Sequence, residues 1–224
     1  MKEIIKTTLF GLFFGTFGTT IGGIIGVKFK NTSNKVLSFI LNFAAGLMIS
    51  IVCFELIPEA LEISSIVGTL TGIIFGVCTM MLCDKIVNEK NNIKRYEKNS
   101  LLKTGIIVGI GLAIHNIPEG LAIGSGFETS LKLGLSLAIA IALHDIPEGI
   151  SMAVPMKTGG MKASKALFYT VLSGITTGIG AFFGAVLGGI SEKTIAICLS
   201  FAAGCMLYIA SRRINSRIKQ TISR

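Results

Sequence analysis

Apolar residues in this chain run in long blocks, and the polar residues collect in the short breaks between them. Seven blocks stand out, at roughly 4–27, 36–57, 64–83, 104–124, 131–154, 167–190 and 194–211. Each is close to the ~20 residues a helix needs to cross the hydrocarbon core of a bilayer. The pattern predicts an all-α polytopic membrane protein with about seven transmembrane helices, leaving no stretch for a separate soluble domain. Composition agrees. Of the 224 residues 51% are hydrophobic and 15% charged, against about 25% charged in a soluble domain, and the mean hydropathy is +0.74.

The formal charge of +9 therefore reads first as membrane topology, because cytoplasmic loops collect Lys and Arg. Seventeen of the 21 basic residues follow the first, third, fifth and seventh blocks; only Lys2, Lys6, Lys132 and Lys193 lie on the other side. This places the N-terminus outside and the tail 212–224 in the cytoplasm, and makes nucleic-acid binding an unneeded explanation. The start lacks a small-residue cleavage site and runs on too long for a signal peptide. Cys53, Cys78, Cys83, Cys198 and Cys205 show no C-x-x-C pair, so they read as small apolar fillers, with Cys53 alone near other candidate ligands.

The blocks repeat. "LNFAAGLMIS" from Leu41 returns as "LSFAAGCMLY" from Leu199, an offset of 158 that also lays the first block on the sixth, Thr19 on Thr177 and Ile21-Gly22 on Ile179-Gly180. On the charge count these partners run in opposite directions. Inverted repeats of this kind belong to transporters whose substrate site lies near the membrane midplane. The fourth and fifth blocks match each other at an offset of 29 and are likewise antiparallel. The expected plan is 1–83 as a first repeat, a cytoplasmic loop 84–103, a central pair 104–156, and a second repeat 157–211 whose third helix would begin near residue 222. Ladders at Gly18/Gly22/Gly26, Gly68/Gly72/Gly76 and Gly180/Gly184/Gly188 let helix backbones approach closely. Met48 and Met206, equivalent in the repeat, read as packing.

The only two histidines sit in the central pair, in "HNIPEG" at His115–Gly120 and "HDIPEG" at His144–Gly149. His and Glu four residues apart share one helix face. Pro118 and Pro147 remove a backbone donor and bend the helix. Two such faces in contact would gather His115, Asn116, Glu119, His144, Asp145 and Glu148. This mixed imidazole and oxygen set suits Zn²⁺, Fe²⁺, Mn²⁺, Co²⁺ or Cd²⁺ without selecting sharply among them. One such motif would be accounted for by a His–Glu hydrogen bond locking two helices. Two at the same depth call for function, as intramembrane ionisable residues do in general. The second block ends in "FELIPEALE", where Glu55 and Glu59 share a face and read as a metal-attracting entrance, while Glu62 reads as a solvated helix end.

Paired H-x-I-P-E-G motifs in consecutive membrane helices, together with "FAAGLM" and "FELIPEA" in the second block, resemble the ZIP family of divalent-metal transporters, near its bacterial GufA- and ZupT-type members. The resemblance covers nearly the whole chain. It implies a 3+2+3 inverted-repeat bundle with the last helix missing, a metal site formed by His115, Asn116, Glu119, His144, Asp145 and Glu148, flux of metal into the cytosol, and a homodimer in the cell membrane. The sequence departs from the family in three places. It stops after seven helices rather than eight. It carries Thr177 where many members have an acid, which removes a ligand from a second metal site. It has Arg212 and Arg213 where the seventh helix usually ends in acid.

The reading is a transporter importing a divalent transition metal, zinc first, as substrate and with no resident cofactor. The alternatives are an intramembrane metal-dependent hydrolase, which would need an open metal position for water, and a non-transporting metal-binding membrane subunit. The hydrolase lacks an H-E-x-x-H motif and a third histidine.

Overall fold

The structure is a computed structural model that describes residues 1–29, 34–90, 100–187 and 192–222, the side chains of 212–222 and of a few helix-end residues excepted. The middle of the 84–103 loop, Gly188 of the third ladder and the basic side chains of the tail lie outside the described residues. Eight α-helices are present among them: α1 (Lys2–Lys28), α2 (Asn34–Ile51), α3 (Ile57–Ile63), α4 (Ile66–Lys90), α5 (Ser100–Thr129), α6 (Leu131–Thr158), α7 (Ala163–Leu187) and α8 (Glu192–Ile222). A π-helical turn, Val52–Leu56, joins α2 to α3, so the two act as one rod. That makes seven helices long and apolar enough to span a bilayer. This is a multi-pass membrane protein.

Two helix groups divide the molecule. Helices α1, α5, α6 and α7 pack on one another, and α2/α3, α4 and α8 form a second group; α5 on α8 and α2 on α6 join them. The seam is apolar and rich in methionine. Met48, Met80, Met152, Met156 and Met206 are all buried in one cluster with Leu112, Leu199 and Ile209. Met48 and Met206 are thus packing residues, as their place in the repeat implies.

Small residues set the closest contacts, as expected where lipid offers no hydrophobic drive between helices. Gly22 of α1 lies against the Ile146 carbonyl of α6, and Gly180 of α7 lies in the same way against the Ile117 carbonyl of α5. Gly149 meets the Thr19 carbonyl and Gly120 the Thr177 carbonyl. These pairs are related by the offsets 158 and 29, so the repeat seen in sequence recurs as matched backbone contacts. Contacts advance together along α1 and α6 and along α5 and α7, making each pair parallel, while α1 against α7 and α5 against α6 run antiparallel. Gly72 and Gly76 bring α4 onto α8, whereas Gly68 meets only Ser64 and Ser65 next to it and takes no part in that seam.

Helix ends explain where the spans differ from expectation. The second rod begins at Asn34 and runs through the π turn to Ile63, about one and a half helical turns beyond residue 57, and so includes Glu59 as well as Glu55. α4 continues to Lys90, so the first part of the 84–103 stretch is helix; it contains no Gly or Pro to stop the helix there. Asp84 in this extension accepts a hydrogen bond from the Tyr208 hydroxyl of α8 at 2.9 Å. α6 opens on Ser130, whose hydroxyl accepts the Leu133 N–H at 3.1 Å. It closes in a Schellman turn: Gly160 takes φ 95°, and Met161 N–H reaches the Met156 carbonyl at 3.0 Å. Glycine suits that left-handed position. Just before the turn, Lys157 donates its ammonium to the Val27 and Phe29 carbonyls, tying the end of α1 to α6.

Candidate metal centre

The antiparallel α5 and α6 place both H-x-I-P-E motifs face to face, each helix running unbroken through its proline. All six candidate ligands are between 0% and 2% exposed, and their pairing is reciprocal. His115 Nε2 stands 3.1 Å from Glu148 Oε2, and His144 Nε2 stands 3.3 Å from Glu119 Oε1. The same exchange of imidazole and carboxylate is made twice, related by the 29-residue offset. His115 also lies 4.0 Å from Glu119, which links the two pairs into one cluster.

Several features prepare this cluster for a cation. His115 Nδ1–H donates to the Gly111 carbonyl at 3.0 Å, leaving Nε2 to face the centre; metal-binding histidines are oriented in this way by a carbonyl behind them. Glu119, His144 and Asp145 each offer an atom within 4.8 Å of the others. Zinc bonds of about 2.0 Å in a tetrahedron separate neighbouring ligand atoms by about 3.3 Å, close to the 3.1 and 3.3 Å seen here. Both carboxylate oxygens of Glu119 and of Asp145, both ring nitrogens of His144, Glu148 Oε1 and Asn116 Oδ1 are buried without a hydrogen-bond partner. The His144–Glu119 approach has ion-pair distance without hydrogen-bond geometry. So many unpaired buried polar atoms would be expensive in a purely structural cluster.

Charge leads the same way. Even with both imidazoles protonated, two positive charges face three carboxylates, whereas one or two divalent cations would offset the acids with the imidazoles neutral. Buried charge is tolerated only when paired or metal-bound.

Other sequence-predicted residues fall into place unevenly. Glu55 sits in the π-helical turn, half-buried, and its carboxylate bears electrostatically on His144. Glu59 follows one turn later in α3, also half-buried, and Glu62 is exposed. Cys53 is exposed, next to an outward-facing Phe54 that is 84% exposed, and takes no part in the cluster. Thr177 is buried with its side chain against Gly15 of α1.

Three contributions were not visible in the motifs. The Ser173 carbonyl of α7 accepts the Asn116 amide at 3.0 Å and fixes which way that side chain turns. Cys205 of α8 lies buried within the field of Glu119, its thiol donating to the Gly76 carbonyl at 3.6 Å. The π turn accommodates Pro58, with the Ile57 N–H reaching back five residues to Val52. Such turns recur at functional sites, and Pro58 within an apolar block was its only signal.

Comparison with known proteins gives one answer. The family model described as "ZIP Zinc transporter" matches residues 88–216. The chain is 34% identical to the zinc transporter ZupT of Corynebacterium aurimucosum, covering 86% of this chain and 79% of that protein. It is 32% identical to ZupT of Clostridium perfringens over 94% of this chain and 85% of the relative. Against ZupT of Campylobacter jejuni the figures are 34%, 93% and 86%.

Proposed function

We infer the function from the premise that this chain belongs to the ZIP zinc transporter family: it is a membrane transporter of divalent metal ions and not an enzyme, and we propose that it imports zinc into the cytosol. Metal is the cargo, not a resident cofactor. The observation that carries the proposal is the convergence on two opposed helices of unpaired buried ligand atoms from Asn116, Glu119, His144, Asp145 and Glu148, with His115 Nε2 turned into the same cluster against Glu148. Glu55 and Glu59 form the approach, Glu55 handing the ion towards His144.

The full proposal adds a frame. The chain is one transporter domain, with 1–83 as the first repeat, 104–156 as the central pair, 157–211 as the second repeat and 212–224 as a basic cytoplasmic tail. It lies in the cell membrane with its N-terminus outside, on the asymmetry of Lys and Arg. It works as a homodimer. The ion sheds water onto the cluster, and one helix group shifts against the other to release it inward. The division into two groups meeting along an apolar methionine seam supports such a movement. Iron, manganese, cobalt and cadmium share the ligand chemistry.

Radiolabelled zinc uptake into vesicles containing the purified full chain tests this. The wild type should accumulate zinc, competed by the other cations in an order that ranks its preference, and the N116A/E119A double variant should not. Uptake by that variant at the wild-type rate would remove the cluster from the pathway.

A further inference from the structure

A cavity of about 670 Å³ opens between α5, α6 and α7 towards the end of the molecule where α5 begins and α6 stops. Ile106 and Ile110 of α5, Met152 and Met156 of α6 and Leu172 and Ile179 of α7 form its walls. The lining gives a hydrated dication almost nothing to bind, so it is not an ion route. Leu172 and Ile179 are 45% and 47% exposed, which within a spanning helix means that the cavity is a groove open to lipid.

The inverted repeat supplies a control for this groove inside the same molecule. Its mate, at the other end of the bundle, should be bounded by the residues that correspond to Leu172, Met156 and Met152 at the two offsets, namely Phe14, Phe127 and Ile123. There the space is filled: Phe14 and Phe127 pack on Ile123, Ala138 and Ile141, and Phe10 stacks on Phe127 with ring centroids 5.4 Å apart. Exchanging two phenylalanines for Leu172 and Met156 is what leaves the first groove open.

Charge identifies the occupant. Lys103 and Lys162 are the chain neighbours of the lining residues Leu102 and Met161, and Lys165 lies one helical turn before the lining residue Tyr169. Lys162 and Lys165 are exposed, and no Asp or Glu occurs in 100–112 or 156–175. Lys157 is already engaged by α1 carbonyls. The α5 wall from Leu102 to Ala113 rises about 16 Å at 1.5 Å per residue, about half the ~30 Å core and so one leaflet deep. We propose that this groove binds one acyl chain of an anionic phospholipid, whose phosphate is held by Lys103, Lys162 and Lys165. Ser173 lies in the groove wall and its carbonyl holds Asn116, so the lipid sits directly behind one ligand of the metal centre.

The test uses the full chain in nanodiscs of equal phosphatidylcholine and phosphatidylglycerol, with a trace of either lipid carrying a photoactivatable acyl chain. Cross-links are mapped by mass spectrometry. The phosphatidylglycerol probe should label Ile106, Ile110 and Leu172 at least about tenfold more than the phosphatidylcholine probe, since even two well-placed lysines at roughly fivefold each exceed that, and more than it labels Leu70 and Ile74 on α4. Leu172→Phe, which copies Phe14 of the filled groove, and separately Ala113→Leu should each cut labelling of the groove at least several-fold without changing that of α4. The triple variant K103Q/K162Q/K165Q should abolish the headgroup preference. Equal labelling of the groove and α4, equal labelling by both probes, or indifference to both filling variants would each overturn the proposal.

Discussion

Asn116 and Asp145 hold the same place in their two motifs, yet only the amide has found a partner: it donates to Ser173, while both Asp145 oxygens are buried unpaired. The difference makes Asp145 and Glu119 the acids most in need of a cation. Glu119→Gln keeps the size and removes the charge, and should lower zinc uptake by about 100-fold or more, beyond the 10–100-fold cost of disturbing a group that merely orients a ligand. Acid should weaken transport too. Imidazole binds metal only when the coordinating nitrogen carries no proton, so protons compete with zinc for the cluster. Lowering the external pH from about 7.5 to about 5.5 should therefore raise the apparent KM for zinc, and excess zinc should restore the rate; an unchanged KM would separate the histidines from binding. The six cluster residues were legible in sequence because scarce polar groups stood out against apolar blocks. The Ser173 carbonyl was not, since a backbone acceptor has no sequence signature, and neither was Cys205, which looks like any small apolar filler until α8 is laid beside α5.

Helices in this protein are positioned by their glycines more than by their large side chains. The 3.6-residue ladders were readable, and they became backbone-to-backbone seams wherever a neighbouring helix came close, but their register was not readable, and Gly68 has no helix facing it. A methyl group on Gly180 has no room beside the Ile117 carbonyl. Gly180→Ala should lower stability by about 1–3 kcal/mol, the usual cost of overpacking, as a fall in melting temperature of the purified protein in detergent. Gly46 has nothing within 4 Å of where its Cβ would be. Gly46→Ala should be neutral or stabilise by up to about 1 kcal/mol through helix propensity. If both behaved alike, close approach would not be what holds α7 to α5. The π turn shows the same limit of sequence reading: Pro58 announced a disturbance in the second span, while the form it takes depends on how α2 and α3 lie against α8.

At the scale of the molecule, charge asymmetry and block length were enough to lay out seven alternating spans, and the antiparallel contacts of α5 with α6 and of α1 with α7 agree with that alternation. The grouping of helices could not be read in the same way, because α1, α5, α6 and α7 are not consecutive and nothing local in a span names its neighbour. That grouping carries the proposed mechanism, and it can be tested by locking it. In a background with the five native cysteines replaced, Gly111→Cys with Ile209→Cys places a pair across the two groups, where Ile209 Cδ1 lies within 2.8 Å of the site of a Gly111 Cβ. Gly23→Cys with Leu167→Cys places a pair within one group, where the corresponding approach is 2.9 Å. Oxidation should stop zinc uptake in the first variant and reduction should restore it, because a disulfide holds its Cα atoms within about 7 Å and forbids one group to slide past the other. The second variant should transport equally well oxidised or reduced, since α1 and α7 would travel together. Should the cross-group disulfide form and uptake continue unchanged, the metal would have to leave by a local opening around α5 and α6, with the methionine seam serving as a fixed contact.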